Sequence, residues 1–374
     1  MTILAQCLLL SFTFYVLGVF PGSTANGQEG QPYDLSEPLE QAISRGKLPG
    51  MVAAIVEDGE VIAIGAAGVR KAGNAESLTV DDKLHIGSCT KAMTATLLAT
   101  LVAEEKLEWS TRVIEVWPSL EGSIHEKYRN LDLLTLLAHR SGVRKDVTWW
   151  KLKGSTPKAQ RMRLVSEQLK LKPQGTPGDY LYSNVGFAIA GAAAERRTGA
   201  AWEKLMKDRL FEPLGLSSAG FGPPSVDGEL DQPWGHRSQS GRLVPSQLDN
   251  APSLGPAGTV HLSIRDWAKF ASLHLKSLTG KEAILTHDQI DELHVAYDSD
   301  KGQSYGQGWI VTERPWASGL ALTHSGSNTF WHSTIWLAPN RKTAYLVVTN
   351  VGGDDAFQAC DEMVGKLIEI HRGL

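Results

Sequence analysis

The sequence predicts an α+β fold in which one antiparallel sheet, built from both ends of the chain, is flanked by helices and interrupted by a mostly helical insertion. Apolar runs at 51–56 and 61–64 enclose a Gly-containing turn and indicate a β-hairpin. Short β-rich runs recur past residue 305, whereas 88–300 has mainly helical periodicity. We therefore expect about 50–67 and 305–350 to share one sheet, which is not a doubly wound α/β arrangement.

The composition is that of an ordinary globular protein. Of 374 residues, 42% are hydrophobic and 21% are charged, which is no signature of disorder. The length favours two subdomains over a single core. A net charge of -4 and the lack of a long basic run argue against a nucleic-acid partner.

The first 25 residues have the pattern of a signal peptide. Residues 4–20 are nearly all apolar, and Ser23-Thr24-Ala25 supplies small residues at a cleavage point. We expect 1–25 to be removed on export to the periplasm or the extracellular space, 26–34 to be a linker, and 35–374 to be the folded domain. No Lys or Arg precedes the apolar run, so an uncleaved membrane anchor is the alternative, and only then is a membrane a partner.

The other elements follow from periodicity and turn residues. Helices are expected at 34–44, 88–107, 185–196, 202–211 and 357–371, and strands at 308–311, 320–323, 333–337 and 344–348, with a turn at Asn340-Arg341. The basic stretch 144–163, which contains Trp149 and Trp150, is interpreted as a solvated loop rather than a lid over an anionic substrate. Cys89 and Cys360 are expected to be small buried hydrophobes, and they are too few for a cysteine metal site.

The segment Ser88-Cys89-Thr90-Lys91 opens the most apolar helix. On a helix that begins at Ser88, its hydroxyl and the Lys91 amine lie one turn apart on one face. A serine becomes a good nucleophile when a neighbouring base takes its proton, and a buried lysine with a lowered pKa can be that base. Taken alone, the pattern also fits an ordinary N-cap followed by a solvated lysine. Other Ser-x-x-Lys matches, at 44–47 and 155–158, do not open an apolar helix.

Two further polar motifs lie downstream. Tyr182-Ser183-Asn184 follows a turn and begins an Ala-rich helix, which brings together a phenol that can pass protons and an amide that can hold a carbonyl. His324-Ser325-Gly326 ends a predicted strand, where a glycine lets substrate backbone approach. Each motif alone would be ordinary, a half-buried tyrosine or a surface histidine.

In order and spacing, Ser88-x-x-Lys91, Tyr182-x-Asn184 and His324-x-Gly326 resemble the motifs of serine β-lactamases and penicillin-binding proteins, from about Leu35 to the C-terminus. The most similar branch holds class C β-lactamases, serine D,D-carboxypeptidases, D-aminopeptidases and family VIII esterases. The resemblance implies the β-lactamase/transpeptidase-like α+β fold. It also implies an acyl-enzyme mechanism that uses neither a cofactor nor a metal.

The resemblance further implies catalytic side chains, substrate-binding groups and oxyanion-hole N–H groups. The catalytic side chains would be those of Ser88, Lys91 and Tyr182. The substrate-binding residues would be Asn184, His324 and Gly326. The oxyanion hole would consist of the backbone N–H groups of Ser88 and Ser327. Ser88 would be acylated, while Lys91 and Tyr182 would act as base and then as proton donor. Asn184 would hold the acyl side of the substrate.

One position departs from the class C β-lactamases, which usually have Lys-Thr-Gly where this chain has His324-Ser325-Gly326. A histidine with its ordinary pKa of about 6.5 carries charge only when protonated. We therefore expect an exported esterase or D-peptidase/carboxypeptidase that acts on a small molecule or peptide, cell-wall-derived ones included. We also expect anionic substrates to bind less well as pH rises through neutrality. The alternatives are a class C-type β-lactamase and a catalytically weak member that binds peptides or assembles.

A rival hydrolase motif is present at 302–306, where Gly-x-Ser-x-Gly surrounds Ser304. Such a motif marks the nucleophile elbow of α/β-hydrolases, and Asp354 and His371 follow it in the required order. The elbow needs a strand before the serine and a helix after it, but 308–311 is predicted to be a strand. The sequence therefore favours Ser88 as the nucleophile.

Overall fold

Strands from both ends of the chain meet in one sheet in the computed structural model, which describes residues 31–147, 156–297 and 302–374. Pro32–Leu374 form one compact unit. The described strands are β1 (Tyr33–Asp34), β2 (Gly50–Glu57), β3 (Glu60–Gly68), β4 (Leu84–His85), β5 (Gly220–Phe221), β6 (Gly235–Gln239), β7 (Arg242–Ser246), β8 (Val260–Leu262), β9 (Ile310–Arg314), β10 (Gly319–Ser327), β11 (His332–Ala338) and β12 (Thr343–Thr349). The described α-helices are α1 (Ser36–Gly46), α2 (Thr90–Ala103), α3 (Val113–Val116), α4 (Leu133–Leu137), α5 (Pro157–Gln168), α6 (Asn184–Thr198), α7 (Trp202–Met206), α8 (Gly255–Gly258), α9 (Ile264–His274), α10 (His287–His294) and α11 (Asp354–His371).

The main sheet has the order β1-β3-β2-β12-β11-β10-β9, and every pair except β1–β3 is antiparallel. The β2–β12 pair joins the two ends of the chain, with Val52 opposite Val348. The predicted antiparallel sheet is therefore confirmed. Tyr33 and Asp34, expected in the linker, instead form β1. The expected signal peptide, 1–25, lies outside the described residues.

The predicted hairpin turns through Asp58 and Gly59, whose φ angles are 47° and 91°. Glu57 pairs with Glu60, so the loop has only these two residues. Positive φ at both central positions matches the turn type whose twist suits paired strands. The turn therefore fixes the register of the strand that pairs with β12.

Helices cover both faces of the sheet. On one face α1 and α11 pack, and Leu39 and Leu367 share a core with Val347. On the other face α9 packs, and Phe270 shares a core with Val52 that continues into the helical insertion around α2. The sheet thus forms a rigid base for the site, which lies between it and the insertion.

The central helix α2 is buried along nearly its whole length, from Thr90 to Leu101. Its threonines are tolerated there because their hydroxyls have hydrogen-bond partners, as when Thr96 donates to the carbonyl of Ala92 at 2.9 Å. The prediction of a buried helix is confirmed, but its start is corrected. Gly87–Cys89 form a 3₁₀ turn first, and the α-helix begins at Thr90.

Several short elements of the insertion were not predicted. These are the β6–β7 hairpin, the small β4-β8-β5 sheet and helices α9 and α10. The predicted helix 202–211 is α-helical only to Met206 and then forms a π-helical turn over Lys207–Phe211. Strands of two to five residues are too short to show the alternation by which strands are predicted from sequence.

The basic stretch 144–163 is not a solvated loop over its C-terminal part. Residues 157–163 begin α5, and Arg161 is fully buried there. The Arg161 guanidinium lies 2.7 Å from Glu195 and 2.8 Å from Glu203, which ties α5 to α6 and α7. Trp149 and Trp150 lie outside the described residues.

We expect Arg161→Leu to lower the free energy of unfolding by about 3–5 kcal/mol, because removing one partner leaves the buried Glu195 carboxylate uncompensated. Urea unfolding measures this loss. The matched control is Arg163→Leu on the same helix, whose side chain is 58% exposed and pairs with Glu167. That substitution should change stability by no more than about 1 kcal/mol. Equal losses in the two variants would contradict the prediction.

Cys89 and Cys360 are free and buried, as expected. Burial raises the pKa of the Cys89 thiol to about 12, so the residue beside Ser88 is not a competing nucleophile at neutral pH. Within the described ranges, no helix is long and apolar enough to cross a membrane.

Candidate active site

Ser88 lies in the 3₁₀ turn that precedes α2, and its side chain is partly exposed. The end of β10 passes directly against this turn. A Cβ added at Gly326 would overlap the Ile86 carbonyl oxygen and lie 2.7 Å from the Ser88 nitrogen. A Cβ on Gly87, which has a φ of 50°, would overlap the Ser327 nitrogen in turn. Two glycines therefore allow the backbone of Ser327 to lie against that of the nucleophile turn.

This packing changes the interpretation of Gly326. The sequence suggested that the glycine lets a substrate approach the strand edge. In the structure the protein's own backbone occupies the space next to this glycine instead, since Gly326 is buried and contacts Ile86 and Ser88. Gly326 is thus needed for the strand to pack beside Ser88.

Lys91 is fully buried, and its amine faces Ser88. Its Nζ lies 3.1 Å from Ser88 Oγ, 2.8 Å from Asn184 Oδ1 and 2.8 Å from the carbonyl oxygen of Ala257. A protonated amine can donate to all three oxygens. A neutral amine can donate to Asn184 and Ala257 and accept a proton from Ser88, without any change of position. The geometry therefore suits both protonation states.

Burial lowers the pKa of Lys91 from 10.5 to about 7, while the carboxylate of Asp146 acts in the opposite direction. Desolvation disfavours the charged form of an amine, and this effect dominates here. A base with a pKa near the working pH combines a substantial neutral fraction with a real affinity for protons.

Tyr182 lies close to both Ser88 and Lys91. Its phenol hydrogen-bonds the Ser88 hydroxyl, and its ring centroid lies 4.8 Å from Lys91 Nζ. Burial raises the pKa of this phenol further than the Ser88 hydrogen bond lowers it. The phenol therefore remains protonated at neutral pH and can serve as a donor.

Ser183 explains why Tyr182 and Asn184 lie where they do. It is the N-cap of α6, and its Oγ accepts a hydrogen bond from the Gly186 N–H at 3.0 Å. The same hydroxyl donates to the carbonyl of Arg144 at 2.6 Å, and its backbone N–H donates to His139 Nδ1 at 3.1 Å. These bonds fix the helix start, so the two flanking side chains point at Lys91.

Asn184 links Lys91 to Asp146. Its Oδ1 accepts from Lys91, and its Nδ2 lies 3.2 Å and 3.3 Å from the two carboxylate oxygens of Asp146. Because a lysine ammonium only donates and a carboxylate only accepts, these partners fix the orientation of the amide.

His324 differs from its expected role as a pH-dependent cation. It is 3% exposed, and burial lowers its pKa to about 3, with a further lowering by the charge of Lys91. Its Nδ1 lies 2.7 Å from the Ser325 carbonyl and its Nε2 2.9 Å from the Tyr305 hydroxyl, so the ring donates through Nδ1 and accepts through Nε2. His324 is therefore neutral throughout the working pH range. The expected weakening of anionic binding through neutrality cannot come from this residue.

A cleft of about 440 Å³ leads from these residues along the β9 edge of the sheet. Tyr182 and His324 line one part of it, and Thr312, Trp336 and Phe357 line another. Hydroxyl and aromatic groups form most of its lining, and the charged side chains of Arg314 and Asp361 also contribute to it. In the part of the chain that the structure covers, no group of three or more histidine, cysteine or acidic side chains could hold a metal ion.

The rival nucleophile Ser304 lies in an irregular segment just before β9, with no helix after it. His371, its proposed base, instead bonds to the Tyr345 hydroxyl at 2.9 Å and lies 3.3 Å from Glu57. The structure therefore brings Ser88, Lys91, Tyr182 and Asn184 together and leaves the elbow residues without a shared site.

Sequence reasoning missed three residues of this site. Asp146 was placed in a solvated loop, and Tyr305 was noticed only as part of the elbow motif. His139 is fully buried with a φ of 60°, and its ring centroid lies 4.3 Å from that of Tyr182.

A model of the Beta-lactamase family matches residues 35–366. The chain belongs to the beta-lactamase family. This is a family of serine hydrolases, and the match spans both the sheet and the insertion that hold the site. The nucleophile elbow of α/β-hydrolases is thereby excluded as the organising motif.

Other members of the beta-lactamase family are similar over most of the chain. Penicillin-binding protein 4 of Amycolatopsis lactamdurans is 28% identical over 336 residues, which are 86% of this chain and 86% of that protein. A Beta-lactamase of Escherichia coli (strain K12) is 26% identical over 278 residues, 73% of this chain and 68% of that one. The solved class C beta lactamase from Rhodobacter sphaeroides has a TM-score of 0.74 at 18% identity and covers 89% of this chain and 98% of its own. This likeness confirms the expected fold.

Proposed function

We propose that this member of the beta-lactamase family is a serine hydrolase that forms an acyl-enzyme on Ser88 and cleaves esters or D-peptide-like amides. One observation carries the proposal. The amine of Lys91 lies 3.1 Å from a partly exposed serine hydroxyl, and its pKa is lowered to about 7. A base that is partly neutral at working pH is thus in contact with a nucleophile that a substrate can reach.

In the proposed acylation step, neutral Lys91 takes the Ser88 proton while Oγ forms a bond to the substrate carbonyl carbon. The negative charge that develops on the carbonyl oxygen meets the backbone N–H groups of Ser88 and Ser327. The bond to the leaving group then breaks, and the proton held on Lys91 reaches the leaving atom through the Tyr182 phenol. Water repeats the sequence on the ester of Ser88 and releases the acid.

The neutral state of His324 supports the choice of substrate class. Class C β-lactamases usually have lysine in this position, where it offers a fixed positive charge to a substrate carboxylate. His324 offers none, because both of its ring nitrogens are engaged and its pKa is about 3. We therefore infer a preference for substrates without an anionic group on the leaving side.

The test compares kcat/KM for p-nitrophenyl butyrate, a D-Ala-D-Ala peptide and nitrocefin, with the Ser88→Ala variant as the control for contaminating hydrolases. We expect the neutral ester to exceed nitrocefin, and the ratio of the two to stay flat between about pH 6 and 8 because His324 does not titrate there. A strong preference for nitrocefin would instead favour the β-lactamase alternative. Covalent labelling without turnover of any substrate would favour a binding member.

We also propose that the protein is exported with cleavage of 1–25. Expression of the full chain should yield extracytoplasmic protein whose N-terminal sequence begins near Asn26, because the small residues Ser23-Thr24-Ala25 follow the apolar run. Recovery of the intact N-terminus in the membrane fraction would contradict cleavage and favour the anchor.

A further inference from the structure

We propose that Asp249 is a positioning residue for the oxyanion hole. Its carboxylate contacts one side chain from each of the two backbone segments that carry the Ser88 and Ser327 N–H groups, and so holds these two donors at a fixed spacing. The inference rests on the proposed function, because an oxyanion forms only if Ser88 attacks a carbonyl carbon. Asp249 acts through its two neighbours, His85 and Asn328, rather than on the substrate.

The first contact reaches the nucleophile turn through His85. This residue is fully buried on β4, and its Nε2 lies 2.9 Å from Asp249 Oδ1. Its Nδ1 accepts a hydrogen bond from the Gly87 N–H at 3.1 Å. A ring nitrogen that accepts carries no proton, so the ring proton is on Nε2, the nitrogen that lies against the carboxylate. One imidazole ring thus links Asp249 to the residue before Ser88.

The second contact reaches the end of β10 through Asn328, the residue after Ser327. Asn328 Nδ2 donates to the same Oδ1 atom of Asp249 at 2.9 Å. The amide oxygen of Asn328 accepts from the backbone N–H groups of Phe330 and Trp331, each at 3.1 Å. These partners fix the orientation of the amide, so the segment after Ser327 is bound to the carboxylate.

The two segments also contact each other, so the spacing of the donors depends on small displacements. A Cβ on Gly87 would overlap the Ser327 nitrogen, and Ser333 Oγ donates to the Ile86 carbonyl at 2.8 Å. Loss of Asp249 should therefore loosen the two segments rather than separate them. Oxyanion-hole donors act at about 2.7–3.1 Å from the developing anion, so loosening weakens binding of the transition state in particular.

The carboxylate of Asp249 is not fully paired. Its side chain is 6% exposed, and its Oδ2 has no hydrogen-bond partner among residues 31–147, 156–297 and 302–374. A buried carboxylate oxygen without a donor costs stability. Stability alone therefore gives no reason for a carboxylate here, whereas its other oxygen contacts both halves of the proposed oxyanion hole.

The test compares p-nitrophenyl butyrate with its thiono ester, in which sulfur replaces the carbonyl oxygen, in wild type and Asp249→Asn. Sulfur is a weak hydrogen-bond acceptor, so the thiono ester gains little from an oxyanion hole. Complete loss of one donor costs about 10²–10³-fold, so we expect loosening to lower kcat/KM for the oxygen ester by about 10–100-fold. For the thiono ester, kcat/KM should fall by no more than about threefold.

The matched control is Asp266→Asn on α9. The Asp266 side chain is also buried, and it accepts from the Ser218 N–H at 2.7 Å and from Lys269 Nζ at 3.0 Å. Its partners belong to neither of the two segments of the oxyanion hole. This variant should therefore leave the ratio of the two kcat/KM values unchanged, even where it lowers stability.

A second variant, His85→Asn, reaches the same link from the other side. The asparagine keeps an acceptor near the Gly87 N–H but is too short to contact Asp249. It should lower the ratio of the two kcat/KM values as Asp249→Asn does, and the double variant should lower it no further, because both substitutions cut one link. His85→Asn provides the measurement if circular dichroism shows that Asp249→Asn is unfolded.

An unchanged ratio in the folded variants, or equal falls for the two esters, overturns the inference and leaves Asp249 with a role in folding only. Hydrolysis of p-nitrophenyl butyrate by wild type, compared with Ser88→Ala, tests the proposed function separately. Without Ser88-dependent hydrolysis both proposals fail. With such hydrolysis and an unchanged ratio, only the role of Asp249 fails.

Discussion

Ser88→Ala should abolish covalent labelling by a fluorophosphonate probe and reduce ester hydrolysis to the background rate. The partly exposed Ser88 hydroxyl, which contacts the Lys91 amine, is the proposed nucleophile, and alanine removes the atom that would form the acyl bond. Intact-protein mass spectrometry after incubation with the probe measures the adduct. The loss should be complete, because the acylated atom itself is missing.

The control for this substitution is Ser304→Ala. Ser304 lies in the Gly-x-Ser-x-Gly segment and contacts neither Lys91 nor Tyr182, so labelling should match that of wild type. Loss of labelling in Ser304→Ala, with retention in Ser88→Ala, would contradict the assignment of the nucleophile. Peptide mapping of the labelled wild type should locate the adduct on the peptide that contains Ser88.

Lys91→Ala should lower kcat/KM by about 10²–10⁴-fold, which is the usual range for loss of a general base. Lys91→Arg should be nearly as inactive, because a guanidinium does not release its proton at working pH. Both are measured with a neutral ester, so that charge on the substrate plays no part. An active Lys91→Arg enzyme would contradict the role of base.

The pH profile of the wild type provides a second measurement on Lys91. The neutral amine is the active form, so kcat/KM should fall as pH drops below about 7, where Lys91 becomes protonated.

The free energy of unfolding should also depend on the protonation of Lys91. Its pKa is lowered on folding, so between about pH 7 and 10 the unfolded chain binds more protons and this group's contribution to stability rises with pH. Lys91→Met removes the cost of burying an amine and should raise the free energy of unfolding. This gain should shrink as pH rises.

The sheet and the order of the motifs could be predicted because their signals are local. Short apolar, β-rich runs mark β2 and β10 to β12, and the longer apolar run marks α2. The predicted start of α2 was two residues too early, because the close approach of Gly326 to the Ser88 turn joins distant parts of the chain. No local pattern reports a contact of that kind.

The same reason explains the two main errors at the site. His324 was expected to titrate near neutral pH, but it is buried and its Nε2 is bonded to the Tyr305 hydroxyl. Asp146 was not singled out because it lies in a stretch that was predicted to be basic and solvated, although its carboxylate contacts Asn184. In both cases a partner from another element determines the chemistry, and burial rather than residue type sets the charge.

The packing of β10 against the nucleophile turn also determines when the enzyme can become active during its synthesis. A nascent chain that has emerged only through α10 already contains Ser88, Lys91 and Tyr182, but it lacks the strand that carries Ser327 and the strand that pairs with β2. Such long-range pairings form late, because the intervening chain must first be ordered. Acylation that uses the Ser327 N–H group is therefore not expected before β10 has packed against the Ser88 turn and β12 has paired with β2.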